Sequence, residues 1–412
     1  MTHETRSMQM KADLTHVILT LLGITGLVLF ILACRPSWSP DGQRVVYSYW
    51  DEKSGKSAVV VFDRKTHSSR VVFEWRNDTS SEASYSIPQW TKDGEKILVT
   101  IYGKEELQIL VLSWNAKKPP QIYTLKKLGG DDSIPAFPYP QVGNTLFLAG
   151  EKAFVRLNLE TGEILRKEFP EATDCLLYDG ADKVLYLRSW EEEKPVAVDS
   201  KDTGEKKPQE NRPQGWELGE LDQKDLSLHP TLKLKPEELE ARGIPGFEGL
   251  LDVDPKTQKF AIAEDSDGTK APRIVVIGKN GIERVLDVGI KERPYELGNL
   301  QWSRDGQTIF ANALIQDEKS KTAEFVLVEV SVDGKGIRID PIEQGSKEQF
   351  GDGYLFAAQI ALSPDGRLIA VPKENVNEKK QGPPGLYLLD LSRTDRRVNF
   401  YPAPALAGQK QE

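Results

Sequence analysis

Cysteine and histidine are scarce: the 412 residues contain only Cys34 and Cys175 and four histidines. Two cysteines cannot make a disulfide framework, and so few His and Cys offer almost no ligands for a metal site rich in either. Positive charge is also in the minority. Lys and Arg total 54 against 63 Asp and Glu, a formal net charge of -9, with no long basic block. A duplex-binding surface needs clustered cations to neutralise phosphates, so nucleic acid is not an expected partner. The remaining proportions, 39% hydrophobic and 28% charged, are those of a folded globular chain and exclude wholesale disorder. Length alone, at ~150 residues per domain, would give two or three domains.

One long apolar run is present. Val17 to Ala33 is 17 residues without a charge, behind a polar segment carrying Arg6 and Lys11. It reads as an export or membrane signal at the short end of what spans a bilayer. The run closes on Ile31-Leu32-Ala33-Cys34, which resembles the bacterial lipobox, although Leu32 is larger than the usual occupant. The resemblance implies cleavage and lipid attachment at Cys34. An uncleaved N-terminal anchor is the competing reading, and both place the rest of the chain outside the cytoplasm. Residues 1–34 are thus expected to be a signal or anchor.

A repeat fills the rest of the chain. Trp38-Ser39-Pro40-Asp41-Gly42 precedes an apolar run at 44–49, and Trp90-Thr91-Lys92-Asp93-Gly94 precedes another at 96–99. Trp302-Ser303-Arg304-Asp305-Gly306 and Leu362-Ser363-Pro364-Asp365-Gly366 repeat the arrangement, and degenerate copies lie at 135–147, 177–186 and 253–262. In each, a short apolar strand meets a tight turn in which Asp-Gly supplies the special backbone angles, and a β-branched strand then begins. Further β-runs follow, such as 58–62 with 70–73 and 108–112 with 121–125. Four strands per unit, recurring at 40 to 60 residues, predict an all-β, seven-bladed β-propeller of four-stranded antiparallel blades over 35–402. Six or eight blades remain open alternatives.

The W-S-P-D-G repeat resembles that of the TolB-type, WD-like propellers found among exported bacterial proteins. The resemblance implies structural duties: Trp38, Trp90 and Trp302 pack between blades, and the Asp-Gly pairs Asp41-Gly42, Asp93-Gly94, Asp305-Gly306 and Asp365-Gly366 shape turns. It does not specify an activity, because propellers host many functions.

The interval from 177 to 253 is too long for one blade, which predicts an insertion at about 200–249. Its large aromatic, Trp216, is the candidate for partner binding, and residues 235–242 read as a short helix with Pro236 in its first turn. Residues 403–412 read as a polar tail. The catalytic side is thin. Beyond the signal only His67 and His229 remain, no G-x-S-x-G elbow occurs, and Asp265-Ser266-Asp267-Gly268 lacks the rest of a calcium loop. No catalytic residue, cofactor or metal site is singled out. The sequence therefore predicts a membrane-tethered, extracytoplasmic scaffold of the cell envelope that binds a protein or ligand. Candidate loops are 76–86, 129–133, 311–322 and 373–385. The alternative is a carboxylate-dependent glycoside hydrolase or lyase, whose acids would have to converge within ~5–10 Å.

Overall fold

The computed structural model describes residues 35–406 apart from short internal stretches and the longer segments 77–87, 127–138, 169–174, 192–213, 245–250, 265–271, 290–294, 347–349, 351–358 and 374–382. Cys34 and Asp265–Gly268 lie outside the described residues. The described strands form seven four-stranded sheets, a seven-bladed β-propeller.

Each blade is built from consecutive strands. The first is Ser37–Trp38 (β1), Arg44–Asp51 (β2), Lys56–Asp63 (β3) and Ser68–Arg76 (β4). The second is Pro88–Trp90 (β5), Lys96–Tyr102 (β6), Glu106–Ser113 (β7) and Gln121–Lys126 (β8). The third comprises Gln141–Val142, Thr145–Ala149, Ala153–Asn158 and Ile164–Glu168 (β9 to β12), the fourth Cys175–Asp179, Val184–Glu191, Gln214–Leu221 and Leu228–Leu234 (β13 to β16). The fifth follows with Leu251–Val253, Phe260–Glu264, Arg273–Gly278 and Gly281–Asp287 (β17 to β20), and the sixth with Tyr295–Trp302, Thr308–Asp317, Thr322–Ser331 and Ile337–Ser346 (β21 to β24). Ala361–Leu362, Leu368–Lys373, Gly385–Asp390 and Val398–Pro402 (β25 to β28) complete the seventh. The described chain divides into two compact units, one of residues 35–126, 312–327 and 340–406, the other of 139–311 and 328–339; the sixth sheet is shared between them. All packing discussed below lies within one unit or the other.

Burial falls from the middle of a blade to its outer edge. β3 is buried through six consecutive positions from Ser57 to Phe62, and β26 along its whole length. A strand covered on both faces reads as a continuous apolar run, which is why Ala58-Val59-Val60-Val61-Phe62 does not alternate. The fourth strands do alternate or are largely exposed, as in β8 and β28. In the first, fourth and fifth blades the fourth strand joins the third through a register shift, at Val59/Val60, Leu218/Gly219 and Val276/Ile277. Such bulges twist an outer edge away from further pairing.

Two sequence expectations are corrected. Residues 214–221 and 228–234 are not an excursion from the propeller but the third and fourth strands of the fourth blade. Within the remaining described part, Pro236–Glu240 (α1) is a single helical turn whose Glu238 carboxylate accepts a hydrogen bond from the Lys235 N–H at 3.1 Å. The long interval arises because the link between β14 and β15 is long and because α1 precedes β17. In the third blade the first described strand is Gln141–Val142, within the degenerate copy at 135–147.

The C-terminal segment is the other correction. Leu406 is buried, and it packs in one apolar cluster with Trp38, Tyr49 and Ala58 of the first blade and Leu386 and Leu388 of the seventh. The Tyr49 hydroxyl donates to the Pro404 carbonyl at 2.7 Å, and the Ala403 N–H to the Pro384 carbonyl at 2.9 Å. Residues 403–406 thus belong to the junction of the two terminal blades and are not a polar tail. Replacing Leu406 with Ala is expected to cost about 2–5 kcal/mol, against at most about 0.5 kcal/mol for Ile122→Ala on an exposed outer strand. Equilibrium denaturation of the two variants checks the contrast.

Candidate functional site

The repeated motif has one geometry in all four clear copies. In the first, the Ser39 hydroxyl donates to Asp41 Oδ1 at 2.5 Å, the Gln43 N–H donates to the same oxygen at 3.0 Å, and Ser39 Oγ accepts the Arg44 N–H at 2.9 Å. Thr91 and Asp93, Ser303 and Asp305, and Ser363 and Asp365 repeat these contacts. A fifth turn of related form, missed in the sequence, joins β23 to β24: Ser331 donates to Asp333, which also accepts the Lys335 N–H. Its Val332-Asp333-Gly334 signature lacks the preceding tryptophan that marks three of the four other copies.

These bonds act on the charged form of each carboxyl group. At Asp41, Asp93 and Asp365 partial burial works to raise the pKa, and the hydroxyl and N–H donors together outweigh it. At Asp305 and Asp333 the serine hydroxyl is the largest influence. All five are lowered, Asp333 to about 2.

The turns also touch from blade to blade. Pro364 of the seventh blade lies against Gly42 of the first, and Pro40 of the first against Gly94 of the second. A Cβ on Gly94 would stand 3.3 Å from Pro40 Cδ, and its φ of +73° already favours glycine. At Gly306 the neighbour is Asp254 of the fifth blade, where a Cβ would meet Oδ2 at 2.8 Å.

The tryptophans bind each blade to the one before it. Trp38 Nε1 donates to the Ala361 carbonyl at 2.8 Å, the Trp90 N–H to Ser37 Oγ at 3.2 Å, and the Trp302 N–H to Asp252 Oδ2 at 2.8 Å. All three side chains are buried. Trp216 sits on β15, half-buried against the apolar cluster shared by the fourth and fifth blades. It is therefore partly occupied by packing.

Ionisable groups away from the turns are also engaged. Glu217, buried on β15, accepts the Tyr186 hydroxyl at 2.8 Å and Arg188 Nε at 2.7 Å, and Lys233 Nζ lies 2.9 Å from its second oxygen. Burial pushes its pKa up, and those three donors overcome it, leaving the group ionised. Lys373 pairs with Glu343 between the sixth and seventh blades, beside Tyr387 and Phe400. Every described carboxylate with a resolved shift moves downward, whereas a glycosidic general acid needs its pKa raised. Cys175 is buried and is not in a disulfide, His67 stacks on Tyr401 at 5.8 Å, and His229 is exposed on β16. Among the described residues no three His, Cys, Asp or Glu side chains group as metal ligands, and no helix is long and apolar enough to cross a membrane.

The two ends of each sheet differ. Antiparallel order puts the links between strands one and two and between three and four at one end, here the turn end. These are short in every blade, from 143–144 to 114–120 and 391–397. Links between strands two and three, and from one blade to the next, lie at the opposite end. They range from 103–105 to 192–213, 235–250 and 374–384. Variation of this kind marks the end that is free to be specialised.

No family model and no curated protein matches the chain. Solved structures similar to it include the β-propeller domain of the Trilobed protease from Pyrococcus furiosus, at 13% identity over 90% of this chain and 99% of that one, TM-score 0.49. The C-terminal WD40 domain of Sif2 is 12% identical over 90% and 85%, TM-score 0.46. TolB from Acinetobacter baumannii is 14% identical over 76% of this chain and 55% of its own, TM-score 0.35. These are likenesses of fold.

The turn carboxylates set an acid limit on stability. Their folded pKa values lie below the unfolded value of 3.8, so their contribution is complete above about pH 4 and is lost as pH falls toward about 2. Thermal melts should therefore be flat from pH 7 to about 5 and fall steeply below 4. Asp365→Asn should lower stability by about 1 kcal/mol at pH 7 and by less at pH 3, checked by melts at both values.

Proposed function

We propose that the protein is a membrane-tethered, extracytoplasmic β-propeller that serves the cell envelope as a scaffold binding another protein or a ligand. The observation that carries this reading is the contrast between the two ends of each blade. Repeated residues are committed to turns and to inter-blade packing, and the chain varies where strands two and three and successive blades are linked. A scaffold keeps its frame and varies such links.

The tether constrains the scaffold. β1 runs toward the turn end of the first blade, so Arg35 and Pro36 enter at the opposite end. With lipid on Cys34, no flexible stalk separates the bilayer from the first blade, and the end carrying the variable links is held toward the membrane.

Mass spectrometry of the mature amino terminus should show an acylated Cys34. A polypeptide starting at an intact Met1 would reject lipidation in favour of an anchor. Cross-linking followed by pull-down from solubilised envelopes should recover a stoichiometric partner; recovery of none, together with turnover in a glycan screen, would reject the scaffold.

A further inference from the structure

The turn ends of the seventh, first and second blades adjoin, through Pro364 on Gly42, Pro40 on Gly94, and the ion pair of Arg64 with Asp365 at 3.7 Å. The described residues of their links and flanks, within 39–44, 63–70, 91–96, 113–121, 363–367 and 390–397, carry 11 Lys and Arg against 7 Asp and Glu. In the third to fifth blades the corresponding segments, 143–144, 158–163, 179–183, 221–227, 253–259 and 278–281, carry 5 against 7. The whole chain has 54 against 63, so the cationic excess is local and opposed to the overall charge.

Six of the seven acids within this surface are engaged at short range. Asp41, Asp93 and Asp365 accept donors from their own turns, Asp63 Oδ1 accepts the Lys65 and Thr66 N–H groups, Asp390 Oδ1 accepts from Ser392, and Asp395 pairs with Arg393 at 2.8 Å and Arg397 at 3.1 Å. The exposed cations include Lys65, Arg70, Lys92, Lys118, Arg367 and Arg397. Part of the array is held in place. The guanidinium groups of Arg44 and Arg70 lie 4.0 and 4.8 Å from the centre of the Trp114 ring, and Arg70 also donates to the Trp114 carbonyl. Cations fixed in advance lose less freedom when a partner arrives.

We infer that this surface docks an acidic segment of a partner protein. The choice of protein over lipid rests on the tethered reading above: a lipid on Cys34 draws the opposite end of the first blade to the bilayer and leaves the turn end facing away. A chain of net charge -9 repels acidic partners elsewhere and concentrates attraction here, which favours rapid, oriented association.

The test uses the full-length protein in detergent and a fluorescent poly-glutamate peptide of about 20 residues, with phosphatidylglycerol vesicles as the second probe. Lys65→Glu/Arg367→Glu/Arg397→Glu reverses the surface, and Lys224→Glu/Lys256→Glu/Lys335→Glu makes the same change of net charge on exposed cations elsewhere. Melting temperatures verify that both variants fold. Peptide binding should weaken at least about tenfold in the first variant and less than about threefold in the second, and about tenfold between 50 and 300 mM salt. Equal weakening in both variants, no binding of the peptide by the unaltered protein, or binding of vesicles alone would overturn the proposal. An unacylated terminus would remove the tethered reading and leave the peptide result standing. Lost peptide binding with an acylated Cys34 would remove only this surface.

Discussion

A propeller whose every blade is made from its own consecutive strands has no strand shared between its first and last blades, so those two blades must be joined by side chains. The constraint organises much of this molecule. Trp38 reaches from the first blade to the Ala361 carbonyl of the seventh, Arg64 meets Asp365, and Phe62 packs on Tyr401 with ring centres 4.6 Å apart. Residues 403–406 then cross the same junction, through Pro404 and Leu406. The junction of the first and second blades and that of the fifth and sixth use the same devices: a tryptophan bonded to the preceding inner strand and a turn lying against its neighbour.

The motif owes its composition to two demands made at one place. Within a blade, Ser or Thr and Asp close the turn and satisfy its backbone N–H groups, while Gly takes the backbone angle that other residues avoid. Between blades, the same Gly leaves room for the preceding Pro, or for Asp254 in the degenerate copy. Repetition of the four residues therefore reports architecture, and the aspartates titrate as structural groups. A recognition function must draw on positions the repeat leaves free, such as the cations beside it and the links at the far end.

The repeat and its strand spacing were legible because each blade solves the same packing problem with the same residues. Trp38, Trp90, Trp302 and the Asp-Gly turns stood out for that reason. The third and fourth strands of the fourth blade were hidden because Gln214–Leu221 carries Glu217 at a buried position, which breaks the apolar signal and is tolerated only through Tyr186, Arg188 and Lys233 from neighbouring strands. Sequence cannot display such partners. Leu406 was hidden differently: Ala403-Pro404-Ala405-Leu406 has neither β nor helical periodicity, and its burial depends on two blades separated by most of the chain. The cationic surface was also illegible, since its residues are scattered over six segments and converge only when three blades stand side by side.

The central claim is that side-chain packing closes the junction of the first and seventh blades, and a double-mutant cycle of Phe62→Ala and Tyr401→Ala measures it most directly. The two rings meet only across that junction. Equilibrium unfolding of the four proteins should give a coupling of about 0.5–1.5 kcal/mol. Additivity within about 0.3 kcal/mol would contradict the account, because the two blades would then not be held together there.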